Sequence, residues 1–311
     1  MRGRTQIIIK LISTHIILLP VLTLISLFVT RDSFILLTIN QSLLITLFLA
    51  GYWEFFGSRI KNIYLIINEV LILIVLIIRL QSASYKEPDW YLIITLSVIQ
   101  TYILLELAKI YIVIKMVDKI SVEIEFPFRN GNYLITDGGN SKISRLMNYH
   151  FYSPMHLKNR TNNSMKFATD IVKIDQSRKR FMPFNNVDYP IFGEKVFCPI
   201  DGTVIKVVND IDDNIPHSGN YPYSTGNTIV IKKGNYYLLL GHLKKNSAKV
   251  REGDIVKSND LLGLAGNSGW TERPHLHMQL IESDSDNYWF GKGICIRYAK
   301  KNLFKNRLIR I

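Results

Sequence analysis

GNSGWTERPHLHMQL, residues 266–280, holds the pattern on which the reading of the fold turns. His275 and His277 stand one residue apart inside an alternating apolar run, and successive side chains leave a β-strand on opposite faces, so a strand here turns both imidazoles the same way. Two rings facing together point to a metal site, because neutral imidazole is the commonest metal ligand near pH 7 and zinc accepts it at about 2.0–2.1 Å. A pair supplies too few ligands, however, and an isolated His-x-His is more often two ordinary strand histidines. A carboxylate and a further donor must come from elsewhere in the chain.

Working outward, the same period of two recurs from about residue 121. VEIEFPF, GNYLIT, FATDIV, GTVIKVV, NTIVIKK, YYLLLGHL, DLLGLAG, HLHMQLI and GICIRYA each read as a short strand. Turn signals separate them at Arg129–Asn132, Asp137–Asn140, Asp201 with Gly202, Lys233–Asn235 and Gly266–Gly269. This spacing predicts an all-β domain, an antiparallel sandwich or barrel, over residues 118–311. The segment from Asn209 to Gly226, rich in Asp, Asn, Pro and Gly, reads as a surface loop beside the site. GLAGNSG is glycine-rich, but no helix pattern follows it, so a tight hairpin is expected there rather than a phosphate cradle.

Residues 1–117 are built differently. Four apolar stretches, 6–29, 33–56, 61–80 and 90–114, each approach or exceed the roughly 20 residues a helix needs to cross hydrocarbon. They predict a multi-pass transmembrane helical domain, with the first stretch retained because it lacks a small-residue cleavage site. Glu69, Glu106 and Lys109 are costly in lipid and are expected to face the bundle, with Glu106 and Lys109 spaced to pair. Trp53, Tyr64, Trp90 and Tyr91, near the stretch ends, fit interfacial anchoring.

The 311 residues carry a formal net charge of +13, the larger share of it beyond residue 117. A basic surface favours polyanions: nucleic acid, anionic headgroups or an anionic cell wall. No RNA-binding aromatic signature, zinc-finger spacing or Walker loop is present, which points away from nucleic acid. Cys198 and Cys295 are the two cysteines, without a Cys-x-x-Cys, so a cysteine metal cluster and a redox motif are excluded and two buried small hydrophobes are expected.

With the strand pattern in place, FGEKVFCPIDGTVIKVVND, GNTIVIKK, GHLKKNSAKVREGDIVKSNDLLGLAGNSG and PHLHMQL, in that order, resemble the lysostaphin-type (LytM-like, β-lytic) zinc metallopeptidases. The resemblance covers about residues 121–300. It implies a compact antiparallel β fold of the duplicated hybrid motif kind and hydrolysis of peptide bonds in peptidoglycan, with Zn2+ as cofactor and peptidoglycan peptides as partners. By that resemblance His277 and Asp170, in KFATDIV, are zinc ligands, and His242 and His275 are catalytic histidines that do not bind the metal. The family's first histidine ligand stands four residues before the carboxylate, where this chain has Lys166, and a protonated ammonium repels zinc. A subset of the family has a histidine after an upstream Gly-Gly segment; here GGNSKISRLMNYHF supplies His150, with His156 as a second candidate. His217 reads as a surface residue.

Two other functions stay open on the sequence. One is a non-catalytic peptidoglycan-binding or regulatory domain whose ligand set, altered at Lys166, has lost zinc. The other is a transporter or sensor resting on Glu69, Glu106 and Lys109. Sidedness is in tension as well. With four spans, the positive-inside rule places the β domain in the cytoplasm, whereas peptidoglycan cross-links are outside. Thr38, Asn40, Gln41 and Ser42 interrupt the second stretch, and its failure to span would leave three crossings and an external domain.

Overall fold

Helix α1, Trp90–Lys115, is apolar around its whole circumference and leaves Trp90, Tyr91, Ile94, Val98 and Tyr111 exposed. One stripe, Leu96, Ile103, Glu106, Ile110 and Val113, is buried. The computed structural model describes residues 37–41, 67, 70–75, 77, 78, 90–115, 120–143, 147–151, 156, 157, 160, 161, 163–174, 183–218 and 224–311. Among these, α1 is the one helix long and apolar enough to cross a membrane. Stretch 6–29 and most of 33–56 and 61–80, with Trp53, Tyr64 and Glu69, lie outside the described residues. Lys109 Nζ sits 2.7 Å from Glu106 Oε1, the expected pair. Residues 37–41 are helical, and Asn40, 3% exposed, donates its Nδ2–H to Leu96 O at 2.8 Å. That bond satisfies one of the polar groups that interrupt the second stretch.

The chain divides into two compact units, with a break between Ile112 and Val113. The second is an all-β domain. Its large sheet runs in the order β10 (Ile255–Val256), β7 (Gly202–Val208), β8 (Asn227–Lys233), β9 (Tyr236–Leu243), β12 (Leu276–Glu282), β5 (Thr169–Ile174), β2 (Asn132–Asp137), β15 (Leu308–Arg310). Strand β13 (Lys292–Tyr298) also pairs with β12, and β1 (Ser121–Glu123) and β14 (Lys301–Asn302) flank it. A separate pair, β6 (Lys195–Phe197) with β11 (Leu261–Leu264), lies against the large sheet, and β3 (His156–Leu157) with β4 (Arg160–Thr161) forms a small ribbon.

Alternation explains which face is core. Ile229, Ile231, Leu238, Leu240, Met278 and Leu280 point to one side, where Val196 and Leu262 of the small pair close over them in a single apolar cluster. Phe126, Phe128 and Tyr133 seal one end, Phe128 stacking on Tyr133 at 4.6 Å between ring centroids. The opposite face of β12 carries His277, Gln279 and Ile281, all buried. The main core thus fixes the strand on which the histidines ride.

Three expectations need correction. The ladder is antiparallel except that β1 pairs parallel to β13. VEIEFPF is a strand only to Glu123: Pro127 has no N–H to give a ladder, and the segment instead makes single backbone bonds to Arg297, Pro199 and Phe197 while burying Phe126 and Phe128. The glycines of GLAGNSG do not close a tight hairpin. Strand β11 pairs with β6 and not with β12, and Gly269, at φ +83°, packs so tightly on the 209–226 loop that an added Cβ would lie 2.3 Å from Gly226 N. The glycines serve a close approach between two distant loops.

Candidate metal centre and active site

Strands β5 and β12 are antiparallel neighbours, and their register sets Asp170 directly opposite His277. His277 Nδ1 lies 3.0 Å from Asp170 Oδ1. The other carboxylate oxygen, Oδ2, is 2.9 Å from His150 Nε2 and 3.6 Å from His275 Nε2. His150 comes from the short 3-10 helix Tyr149–Phe151, and its ring meets that of His277 at 4.8 Å.

Buried Asn148 holds that helix in place. Its Nδ2 donates to Gly139 O and Ala168 O, each at 3.0 Å, and its Oδ1 accepts the His150 backbone N–H at 3.0 Å. Asp137 Oδ1 accepts the Tyr149 N–H at 3.0 Å. Three segments distant in sequence are thereby tied around one imidazole.

The donor set fits zinc. Three ligands at the roughly 2.0–2.2 Å bond lengths of a tetrahedral site stand about 3.3 Å apart, and the donor atoms of His150, Asp170 and His277 all lie within 4.8 Å of one another. Gln279 Oε1 lies 3.0 Å from His277 Nε2. A proton on Nδ1 gives the hydrogen bond to Asp170, and a proton on Nε2, accepted by Gln279, frees the Nδ1 lone pair for a metal.

His242 and His275 complete the cluster, with ring centroids 4.7 Å apart. Each is oriented through Nδ1: His242 donates to Ser268 O at 2.7 Å and His275 to Arg273 O at 2.9 Å, with Thr271 Oγ1 at 3.1 Å from the latter. These bonds fix the tautomer and leave Nε2 of both rings able to accept a proton. His242 has φ +59°, unusual for a residue with a side chain. The cause is a bulge in the β8–β9 ladder, where Asn227 faces Leu243 but Ile229 faces Leu240.

Burial, joined by the charges of His275 and His277, pushes His242 well below the ordinary imidazole value, and burial also lowers His275. Burial alone would raise Asp170, but the charges of His150 and His275 and hydrogen bonds from His150 and His277 outweigh it and hold the carboxyl well below its usual range. For His150, burial opposes the charged form, and the Asp170 carboxylate beside it reverses the direction, so its value is raised.

Residues 185–288 match the family described as Peptidase family M23, and His242, His275 and His277 fall within the match. The C-terminal domain belongs to peptidase family M23. Asp170 and His150 precede the matched segment, so in this M23 domain their place in the site rests on the geometry above. Peptidoglycan DD-endopeptidase ShyA of Vibrio cholerae is 34% identical over 104 residues, 33% of this chain and 21% of that protein. Glycyl-glycine endopeptidase ALE-1 of Staphylococcus capitis is 33% identical over 88 residues, 28% of this chain and 23% of that protein. The chain thus spans about a quarter or less of the length of these two relatives. The catalytic domain of lysostaphin from Staphylococcus simulans aligns at 19% identity over 47% of this chain and 86% of that chain, with a TM-score of 0.29.

Within the M23 domain, Lys166 does not stand among the donors. Its ammonium lies over the Phe151 ring, 5.6 Å from the centroid. His156 is in β3, and its side chain lies outside the described residues. His217 is half-buried rather than a free surface residue: Nε2 is 2.9 Å from Tyr189 Oη, and its N–H bonds Glu272 O, which ties the 209–218 loop to the segment leading into β12. Cys198 and Cys295 are free and buried, as expected. Asn148, Gln279 and the carbonyls of Ser268 and Arg273 were not singled out by sequence. Of these, Gln279 alone leaves a signal, since period two sets it on the face of His277.

Proposed function

We propose that the chain is a membrane-anchored zinc metalloendopeptidase that hydrolyses peptide bonds in peptidoglycan, with His150, Asp170 and His277 as the metal ligands and His242 and His275 as the catalytic pair. The observation that carries this reading is the convergence of His150 on Asp170 and His277, which supplies the third protein ligand that Lys166 cannot. Zinc held there would polarise a peptide carbonyl and acidify a water.

His242 stays neutral and presents Nε2 as the proton acceptor. His275 is neutral in the resting site, with Nε2 3.6 Å from the Asp170 carboxylate, and once that Nε2 has taken up a proton it is placed to donate to a developing oxyanion. Ser268 and Arg273 keep both rings aimed. The bilayer is the partner of residues 1–117, through α1 at least, and residues 118–311 form the working domain. That domain is placed outside the membrane, because cross-linked peptidoglycan is there; a C-terminal tag protected from protease on intact cells would remove this placement.

The test is release of new amino termini from purified cross-linked peptidoglycan by the full-length protein in detergent. Expected is hydrolysis that a chelator stops and zinc restores, absent in His242→Ala and His275→Ala although both keep most of their metal. Hydrolysis in neither the parent nor its zinc-supplemented form would move the chain to the non-catalytic class.

A further inference from the structure

A second concavity opens on the face of the sheet that carries His277. From His277 the same face continues through Gln279 to Ile281, about 13 Å along β12 at the usual strand rise of about 3.3 Å per residue. Ile281 is paired with Gly293 of β13. Gly293 is where the segment bearing Ser164 presses onto the sheet: an added Cβ would lie 2.7 Å from Ser164 O. Beside this contact lies a cavity of about 520 Å³.

Its walls come from the pieces of chain that also deliver the metal ligands. Phe151 follows His150 in the same 3-10 helix, and Lys166 and Phe167 lead directly into β5 and Asp170. Phe151 and Phe167 meet edge to face at 5.7 Å. Lys142 and Lys292 stand exposed at the rim with Phe290, which is 56% exposed. Three lysines and three phenylalanines therefore line one hollow, and none of its described lining residues is acidic.

This composition has a defined chemical preference. Aromatic walls take apolar side-chain stems and peptide planes, while lysines concentrated without an acidic wall residue favour a carboxylate.

We propose that this hollow is a subsite for an acidic peptide segment, binding a carboxylate of the substrate, with Lys142, Lys166 and Lys292 supplying the charge. It rests on the peptidase reading for its purpose but is tested apart from turnover. The probe is a fluorescently labelled acidic tetrapeptide, compared with the same peptide as its carboxamide, binding to the full-length protein in detergent micelles with chelator present so that nothing is hydrolysed.

Expected is tighter binding of the acid than of the amide by about tenfold, the scale of two partly exposed ion pairs, and loss of that preference in Lys142→Gln/Lys292→Gln. Zinc content of the double variant, unchanged, shows that it is folded. Equal binding of acid and amide overturns the subsite. So does a preference that survives in the double variant, or Lys-dependent binding of a polyglycerol phosphate with no discrimination between the peptides. If the protein cleaves peptidoglycan but shows equal KM for acidic and amidated substrates, the subsite falls and the peptidase stands. If it cleaves nothing yet keeps the lysine-dependent preference, the peptidase reading falls and the subsite stands.

Discussion

Asn148→Ala tests whether the loop around His150 is built to hold a ligand. The side chain is fully buried, and its amide bridges Gly139 O, Ala168 O and the His150 N–H. Alanine leaves all three without that partner. At roughly 1 kcal/mol for each such buried bond, the loss is about 3 kcal/mol, or about 6–12 °C in the unfolding midpoint of a domain this size. Zinc affinity is expected to fall as well, by about 10- to 100-fold, because the variant frees the helix that aims the His150 ring. Thermal unfolding of the full-length protein with and without metal, and zinc competition against a chromophoric chelator, read the two effects separately. Asn148→Asp, which keeps the acceptor for the His150 N–H but turns a carboxylate oxygen onto two carbonyls, should destabilise at least as much as alanine. An unmoved midpoint with zinc affinity within about twofold of the parent would show that Asn148 does not position His150.

Gln279→Leu removes the acceptor of the His277 Nε2–H and should weaken zinc by about 10-fold or more while leaving the midpoint of the metal-free protein unchanged, since Gln279 Nε2 has no partner among the described residues; unchanged affinity would count against its role. Because burial holds His242 and His275 below the ordinary imidazole value of about 6.5, both stay neutral as the pH drops through that value, and the acid limb of kcat/KM should lie below pH 6.5 in samples shown to retain metal. The unfolded chain takes up protons at these sites first, so both histidines subtract stability as the pH falls below about 6.5. A limb above 6.5 in metal-replete samples would contradict the burial argument. Lys166→Met should leave zinc stoichiometry untouched, as the ammonium lies over Phe151 and away from the donors; a lost metal would place Lys166 in the site after all.

The strands that carry the site were legible because period two survives wherever one face is buried, as in GTVIKVV and HLHMQLI. Asp170 and His277 were legible through spacing and resemblance, and their contact follows from a register that sequence does not display. His150 was named first from the Gly-Gly segment before it, with His156 second. Asn148 ties the His150 backbone in place, and its bonds to the carbonyls of Gly139 and Ala168 have no pattern to find. The groups that orient His242 and His275 are the backbone carbonyls of Ser268 and Arg273, which any side chain would supply. GNSG misled because glycine marks a backbone that needs freedom or room, and sequence does not say whether the neighbour is the next strand or a distant loop. Strands of two or three residues, such as β10 and β14, are too short to show a period.

Zinc stoichiometry of the full-length protein, measured by elemental analysis after purification without added chelator, tests the central claim most directly. One zinc per chain in the parent and in His156→Ala, with loss of the metal in His150→Ala, is the expected result if His150 is the third donor beside Asp170 and His277, with which its donor atom lies within 4.8 Å. A parent chain without zinc, or a His150→Ala variant that keeps a full equivalent, would contradict it.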